Sequence, residues 1–199
     1  MRVVLATQNA HKLIEMRRIL DEAGLDIELV GTDQFPDLTD VAETGSTFAA
    51  NALLKARSVC AETGLPAIAD DSGLGVDALN GMPGIFSARW SGAHGNDAAN
   101  LSLLLGQLSD VPDARRGAAF HCAAAVVFPD GTERVVEGSI DGTLIREPRG
   151  SNGFGYDPIF IPIGESRTTA EMSPDEKDAI SHRGRAMRAL VPVLRDLLG

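Results

Sequence analysis

The sequence predicts an α/β protein with a mixed β-sheet and a partial second lobe. Three observations carry this. A β-branched run, RVVLA at 2–6, is followed by a helical spacing of apolar residues and then by a second strand-like run, IELVG at 27–31, which is the pattern of a β-α-β start. Between 117 and 146, GAAFHCAAAVVF and TERVVEGSIDGTLI read as strands joined by Pro129-Asp130-Gly131, a strong turn signal. The 199 residues, 44% hydrophobic and 23% charged with no low-complexity tract, have ordinary globular composition at a length suited to one large domain or two tightly joined lobes.

Local pattern justifies each element in turn. After TQNAHK, Leu13, Met16, Leu20 and Ala23 mark one helical face, and Gly24 is placed to end it. The polar segment TDQFPDLTDVAETGS leads to a second helix, with Ser46 or Thr47 as cap and Phe48, Ala52, Ala56 and Val59 on one face. Gly64 closes it, and LPAIA reads as a buried strand that ends at Asp70-Asp71, where Ser72 and Gly73 turn the chain. DALNGMPGIFSARWSG is crowded with turn-formers, and a helix is expected around 97–108 on Leu101, Leu104, Leu105 and Leu108. GSNGFGYDPIFIP is a glycine-rich loop running into a short strand. SPDE at 173–176 predicts a helix start, with Ser as cap, Pro at the first helical position and Glu at the third. Met187, Leu190, Val191, Leu194, Leu197 and Leu198 form the face of a last helix, kinked at Pro192.

Composition narrows the function classes. Cys60 and Cys122 sit in apolar surroundings and read as small core residues, and two lone thiols suit a reducing cytoplasm. The N-terminus has four consecutive apolar residues after Arg2, too few for a signal peptide, and no stretch approaches bilayer-spanning length. A cytoplasmic protein without a membrane role is therefore expected. With 18 Lys and Arg against 28 Asp and Glu, net charge −10, tracking along nucleic acid is not expected. A small phosphorylated ligand needs only a few local cations.

Four segments carry candidate chemistry. TQNAHK lies between a strand and a helix N-terminus, a place attractive to phosphate, although it lacks the glycines of a P-loop and also reads as a capped turn. Glu43, Asp70 and Asp71 form an acidic set able to hold Mg²⁺, which takes one or two carboxylates and leaves its other positions to water and phosphate. Neighbouring strand residues face opposite ways, so Asp70 and Asp71 should do different jobs. NGFGYDP reads either as a tight turn or as a slot for a planar base, with Asp157 reading a ring N–H. In SHRGRA, His182 and Arg183 read as a surface pair or, through the arginine's fixed donor fork, as a contact for a carbonyl or phosphate. Together they describe a nucleotide site.

In this order, TQNAHK, ETGSTFAANALLKA, ADDSGLGVDALNGMPGIFSARW, GSNGFGYDPIF and EMSPDEKDAISHRGRA resemble the inosine triphosphate pyrophosphatase family over nearly the whole chain. Tyr156 stands where some relatives carry tryptophan. The resemblance implies hydrolysis of ITP, dITP or XTP to the monophosphate and pyrophosphate, with Mg²⁺. It also implies an elongated mixed sheet with flanking helices, two lobes around a central nucleotide-binding cleft, and a homodimer. Carried onto this sequence, Thr7, Gln8, Asn9, Ala10, His11 and Lys12 hold the triphosphate, with Lys55 a further phosphate contact. Asp71 is the proton acceptor and a metal contact, Glu43 a second metal ligand, and Asp70 an auxiliary ligand or a scaffold contact. Ser72 touches substrate, and Phe154, Gly155, Tyr156, Asp157, Lys177, His182 and Arg183 surround the base and phosphates.

These residue types suit the chemistry. A carboxylate beside a metal-bound phosphate can orient or deprotonate water, and no covalent nucleophile is apparent. Hypoxanthine and xanthine offer a 6-keto acceptor to Arg183, where adenine would set donor against donor. The alternatives are a nucleotide phosphatase releasing orthophosphate and a purine-nucleotide-binding regulator without turnover.

Overall fold

The computed structural model describes residues 1–7 and 10–198, with Ala10, His11 and Leu198 described by backbone alone. The chain opens with strand β1 (Arg2–Leu5), helix α1 (Ala10–Glu22) and strand β2 (Glu28–Gly31). β2 returns parallel to β1 in the register Arg2↔Glu28 through Leu5↔Gly31. Helix α2 (Phe48–Thr63) then leads to β3 (Ala67–Val76), which pairs parallel to β1 at Val4↔Ala67 and Leu5↔Ile68. Thr47 is the α2 cap, its side chain accepting from the Ala50 N–H, and Gly64 ends the helix in the left-handed conformation at φ 68°. This is the β-α-β opening expected from the alternating patterns.

β4 (Met82–Pro83) and α3 (Asp97–Gln107) follow, then the hairpin of β5 (Gly117–Val127) and β6 (Glu133–Leu144), β7 (Phe160–Pro162), α4 (Pro174–Ile180) and α5 (His182–Leu198). The expected Pro-Asp-Gly turn joins β5 to β6, with the Phe128 N–H on the Thr132 carbonyl at 2.9 Å. Ser173 and Glu176 form the expected capping box of α4. Pro192 lies inside α5, which continues past it to Leu198. The strands make one mixed sheet in the order β2-β1-β3-β5-β6-β7, with β4 on β3.

The chain divides into two compact units. The first comprises residues 1–71, 122–138 and 183–199; the second comprises 72–121 and 139–182. In the first, strand alternation sends side chains to two apolar layers. Val3, Leu5, Ile68, Cys122, Ala124 and Val126 meet Met16 and Leu20 of α1 and Met187, Leu190 and Leu194 of α5. On the other face, Val4, Ala67, Ala69, Ala123 and Ala125 meet Ala52, Ala56, Val59 and Cys60 of α2. Both cysteines are thus core residues. The alanines on that second face let α2 lie close against the strands. The second unit has a core of its own built on Leu74 and Val76 of β3, Leu104 and Leu108 of α3, Phe120, Ile140, Tyr156 and Phe160. Arg116 is fully buried there and donates to the carbonyls of Leu108, Leu144 and Ile145.

One expectation is corrected. The strand does not end at the aspartate pair: β3 runs on through Asp70, Asp71, Ser72 and Gly73 to Val76. Leu74 and Val76 give the far half its own buried alternation, and Gly75↔Pro83 and Val76↔Met82 pair it with β4. Apolar burial and ladder bonds outweigh the turn preference of Asp, Ser and Gly.

The α2 cap holds the helix whose face lies against Asp71. Thr47→Ala should lower stability by about 1 kcal/mol, read as a shift of the urea midpoint at unchanged slope.

Candidate functional site

β3 passes the end of its pairing with β1 at Ile68, so Asp70 and Asp71 come just beyond the C-terminal end of β1. Strand alternation then separates them. Asp70 turns to the face that holds α1 and α5, and Asp71 to the face that holds α2. Lys12 Nζ donates to both Asp70 oxygens, at 2.9 Å to Oδ1 and 2.8 Å to Oδ2, and Arg183 Nε reaches Oδ2 at 3.3 Å. Burial alone would push the Asp70 carboxyl up. Lys12 and then Arg183 overcome that and hold it far below the usual carboxylate range. Asp70 is therefore a buried, fully ionised anchor. It was expected as an auxiliary metal ligand or a scaffold contact, and its contacts with Lys12 and Arg183 are those of a scaffold.

Asp71 has the opposite environment. Asn51, fully buried on α2, donates from Nδ2 to Asp71 Oδ2 at 3.0 Å, and Lys55 Nζ stands 3.6 Å from Oδ1. The same ammonium lies 2.8 Å from Glu43 Oε1, so Lys55 is shared by two carboxylates. Burial raises the Asp71 carboxyl; Lys55 and the Asn51 hydrogen bond pull it down, Glu43 and Asp70 push it up again, and the result is a raised pKa. Lys55 is itself raised: burial opposes its charge, but Asp71 and Glu43 outweigh burial. A carboxylate that binds protons more readily than an ordinary aspartate is suited to accept one.

In the second unit the glycine-rich loop is organised around Asp157. Its Oδ1 accepts from Thr169 Oγ1 at 2.8 Å, and its Oδ2 accepts from the Phe154 N–H at 2.8 Å and from Lys177 Nζ at 2.5 Å. Asp157 was expected to read a ring N–H; these internal bonds make it a hub of the loop. A Cβ on Gly153 would collide with this carboxylate, and Gly153 has φ 74°. The two aromatics separate. Tyr156 is 3% exposed in the core, its hydroxyl donating to the Ser87 carbonyl at 2.9 Å, whereas Phe154 is 55% exposed with Lys177 Nζ 5.2 Å from its ring centre. Phe154 is thus the aromatic able to stack on a planar ligand. Asp97 fixes the loop from α3, accepting from the Gly155 N–H at 2.9 Å. His182 is buried and stacks on Phe120, ring centres 4.9 Å apart.

Thr7 follows β1, its carbonyl accepting from Thr32 Oγ1 at 2.9 Å. Ser72 is half-buried in β3. Gln8 and Asn9, and the side chains of Ala10 and His11, lie outside the described residues. Asn51, Asp97, Thr169 and Phe120 had no place among the expected site residues. For Asn51 a signal existed: a polar residue one helical turn before Lys55, beside the apolar positions of α2.

The donor set fits a magnesium ion that arrives with a phosphate. Among the described residues no group of three or more His, Cys, Asp or Glu is arranged to hold a metal. Glu43 and Asp71 nevertheless bracket one cationic group, the Lys55 ammonium, and two hard carboxylates are what Mg²⁺ asks of a protein when phosphate and water complete its shell.

Fold and cluster together define an α/β protein that gathers acids and cations just beyond the C-terminal end of the parallel strand β1, the side on which such sheets take their ligands. The model of the Ham1 family matches residues 3–193, and the chain belongs to that family. A dITP/XTP pyrophosphatase of Streptomyces avermitilis is 65% identical over 198 residues, covering 100% of this chain and 99% of that protein. The crystal structure of a nucleoside-triphosphatase, a dITP/XTP pyrophosphatase from Mycobacterium abscessus, is 57% identical with a TM-score of 0.82, covering 98% of this chain and 100% of that one. A HAM1 protein from Coxiella burnetii is 45% identical with a TM-score of 0.91, covering 98% and 99%. The motif blocks had pointed to this family.

The two aspartates should respond oppositely to pH. Asp70 has a lowered folded pKa, so its contribution is present above the unfolded value of about 4 and lost as pH falls. Asp70→Asn should therefore cost about 3 kcal/mol at neutral pH, with the deficit shrinking in acid. Asp71 has a raised folded pKa, so its contribution is lost as pH rises, and ionised Asp71 opposes folding at neutral pH. Without divalent metal, Asp71→Asn should raise the neutral-pH melting temperature. Urea and thermal unfolding across pH check both.

Proposed function

We propose that this chain is a Mg²⁺-dependent nucleoside-triphosphate pyrophosphatase that hydrolyses ITP, dITP and XTP to the monophosphate and pyrophosphate, removing them from the nucleotide pool. One observation carries the reading. A buried carboxylate with a raised pKa, Asp71, is set by Asn51 and Lys55 beside a second acid, in a chain whose relatives over their full length include dITP/XTP pyrophosphatases.

Asp71 accepts a proton from the attacking water, and the oxygen so activated adds to phosphorus as pyrophosphate leaves. Its raised pKa brings it closer to working pH, which makes the transfer efficient. Lys55 holds Asp71 and Glu43 together and offers a cation to substrate phosphate. Lys12 serves the triphosphate from the start of α1 with residues 7–11, while Asp70 keeps Lys12 and Arg183 oriented. Glu43 and Asp71 would hold Mg²⁺, which would supply a Lewis acid that neutralises charge on the substrate phosphates. At the base, Phe154 stacks, with Gly155, Lys177 and His182 around it, and Arg183 offers donors to the 6-keto oxygen that hypoxanthine and xanthine share. Asp157 and Tyr156 support that end from within the loop. Ser72 touches substrate beside Asp71. The working protein is a cytoplasmic homodimer, a state that light scattering tests.

A panel of nucleoside triphosphates with and without Mg²⁺, scored for pyrophosphate and orthophosphate, tests the reading. ITP, dITP and XTP should yield pyrophosphate in a Mg²⁺-dependent way; orthophosphate as the product would make the chain a phosphatase, and tight binding without turnover a regulator. Asp71→Asn should lower kcat by about 10³-fold, and Lys12→Ala should act mainly by raising KM.

A further inference from the structure

We propose that Asn51 is a positioning residue that fixes the Asp71 carboxylate and, through the same amide, the segment carrying Glu43. The inference rests on the reading of Asp71 as proton acceptor and deepens it. Asn51 is fully buried, which for a polar side chain requires that its hydrogen-bonding groups be matched. Its Oδ1 accepts from the Gly45 N–H at 2.8 Å and its Nδ2 donates to Asp71 Oδ2 at 3.0 Å. The two partners settle the amide's orientation without ambiguity. A backbone N–H can only donate, so the oxygen must face Gly45, and the amino group is left for the carboxylate.

The geometry makes this more than a packing contact. Asn51 and Lys55 are one helical turn apart on α2, so they approach Asp71 from the same face. One takes Oδ2 and the other faces Oδ1 at 3.6 Å, which blocks rotation of the carboxylate. At the other end of the amide the chain comes in too close for a side chain. A Cβ on Gly45 would stand 2.7 Å from Asn51 Oδ1 and 2.7 Å from the Ala50 Cβ. The backbone held in this way lies two residues from Glu43, whose carboxylate accepts from Lys55 at 2.8 Å. One amide therefore ties together the two acids that share an ammonium. A leucine would fill the same volume in this alanine-rich layer, but would leave the Gly45 N–H unmatched and Asp71 able to turn. Aspartate would keep an acceptor for Gly45 and lose the donor to Asp71.

The test is a double-mutant cycle on the full chain with Mg²⁺ and dITP, measuring pyrophosphate release. To remove the effect of misfolded protein, kcat is counted per IMP-binding site from calorimetric stoichiometry. Asn51→Ala should lower kcat by about 10²-fold, the cost of a misplaced catalytic group. Asn51→Asp, which is isosteric, should lose about as much. In an Asp71→Asn background, either change should cost less than about two-fold, because the group being positioned is gone. Equal losses in both backgrounds would make Asn51 merely structural and overturn the inference. Asn51→Asp at near wild-type kcat would overturn the Asp71 half and leave only the Gly45 contact. Wild-type turnover by Asp71→Asn itself would overturn the reading of Asp71, a distinct failure seen before any Asn51 variant is made.

Discussion

Asp70 carries its charge into the interior because two cations meet it there. Lys12 engages both oxygens and Arg183 one. Burying a lone carboxylate is costly enough to neutralise it by proton uptake, whereas a paired and hydrogen-bonded one stays ionised. The pairing draws the first turn of α1, the first turn of α5 and the middle of β3 to one point. It also sets the electrostatics next door. On one face of β3, Lys12 and Arg183 both bond Asp70; on the other, Lys55 is shared by Asp71 and Glu43. Two adjacent residues of the same type thus acquire opposite pKa directions.

This arrangement depends on β3 staying a strand where its residues favour a turn. A turn at Asp70-Asp71 would break the alternation that sends the two side chains to different helices. Leu74 and Val76 beyond them, buried in the second unit's core, keep the strand extended. On the α2 side, the small side chains of Ala67, Ala69, Ala52 and Ala56 bring helix and strand close. That closeness allows an asparagine, shorter than the lysine one turn later, to reach Asp71.

Much of this was legible in the sequence. The β-α-β opening, the Pro-Asp-Gly hairpin, the Thr47 and Gly64 ends of α2 and the SPDE helix start are local signals, set by φ/ψ preference and capping chemistry, and they were readable where they occur. The acidic set was legible as residue types, and strand alternation foretold that Asp70 and Asp71 would separate. Sequence patterns could not say which cations each would meet, because those partners come from α1, α2 and α5, far apart in the chain. DDSG stays extended for a related reason: Asp, Ser and Gly are strong punctuation locally, and the burial that overrides them is tertiary. Tyr156 and Asp157 looked like ligand contacts by type, but burial of one and the three internal bonds of the other are invisible to a one-dimensional pattern.

The glycine-rich loop applies the same physics in a different setting. Asp157 anchors Lys177 as Asp70 anchors Lys12, and it also takes the Phe154 N–H, so one carboxylate orients both a cation and the backbone of an exposed ring. Phe154 keeps its face outward because the loop beneath it is held by Asp157 on one side and by Asp97, through Gly155, on the other. Gly153 is required because a side chain would occupy the carboxylate's place. A buried acid that pins a cation lets the adjoining group face a ligand in a defined orientation, and preorganisation of this kind reduces the entropy that binding must overcome. Asp70 and Asp157 therefore hold other residues in place, which leaves Asp71, the buried carboxylate of raised pKa, as the acid that carries the proposed proton transfer.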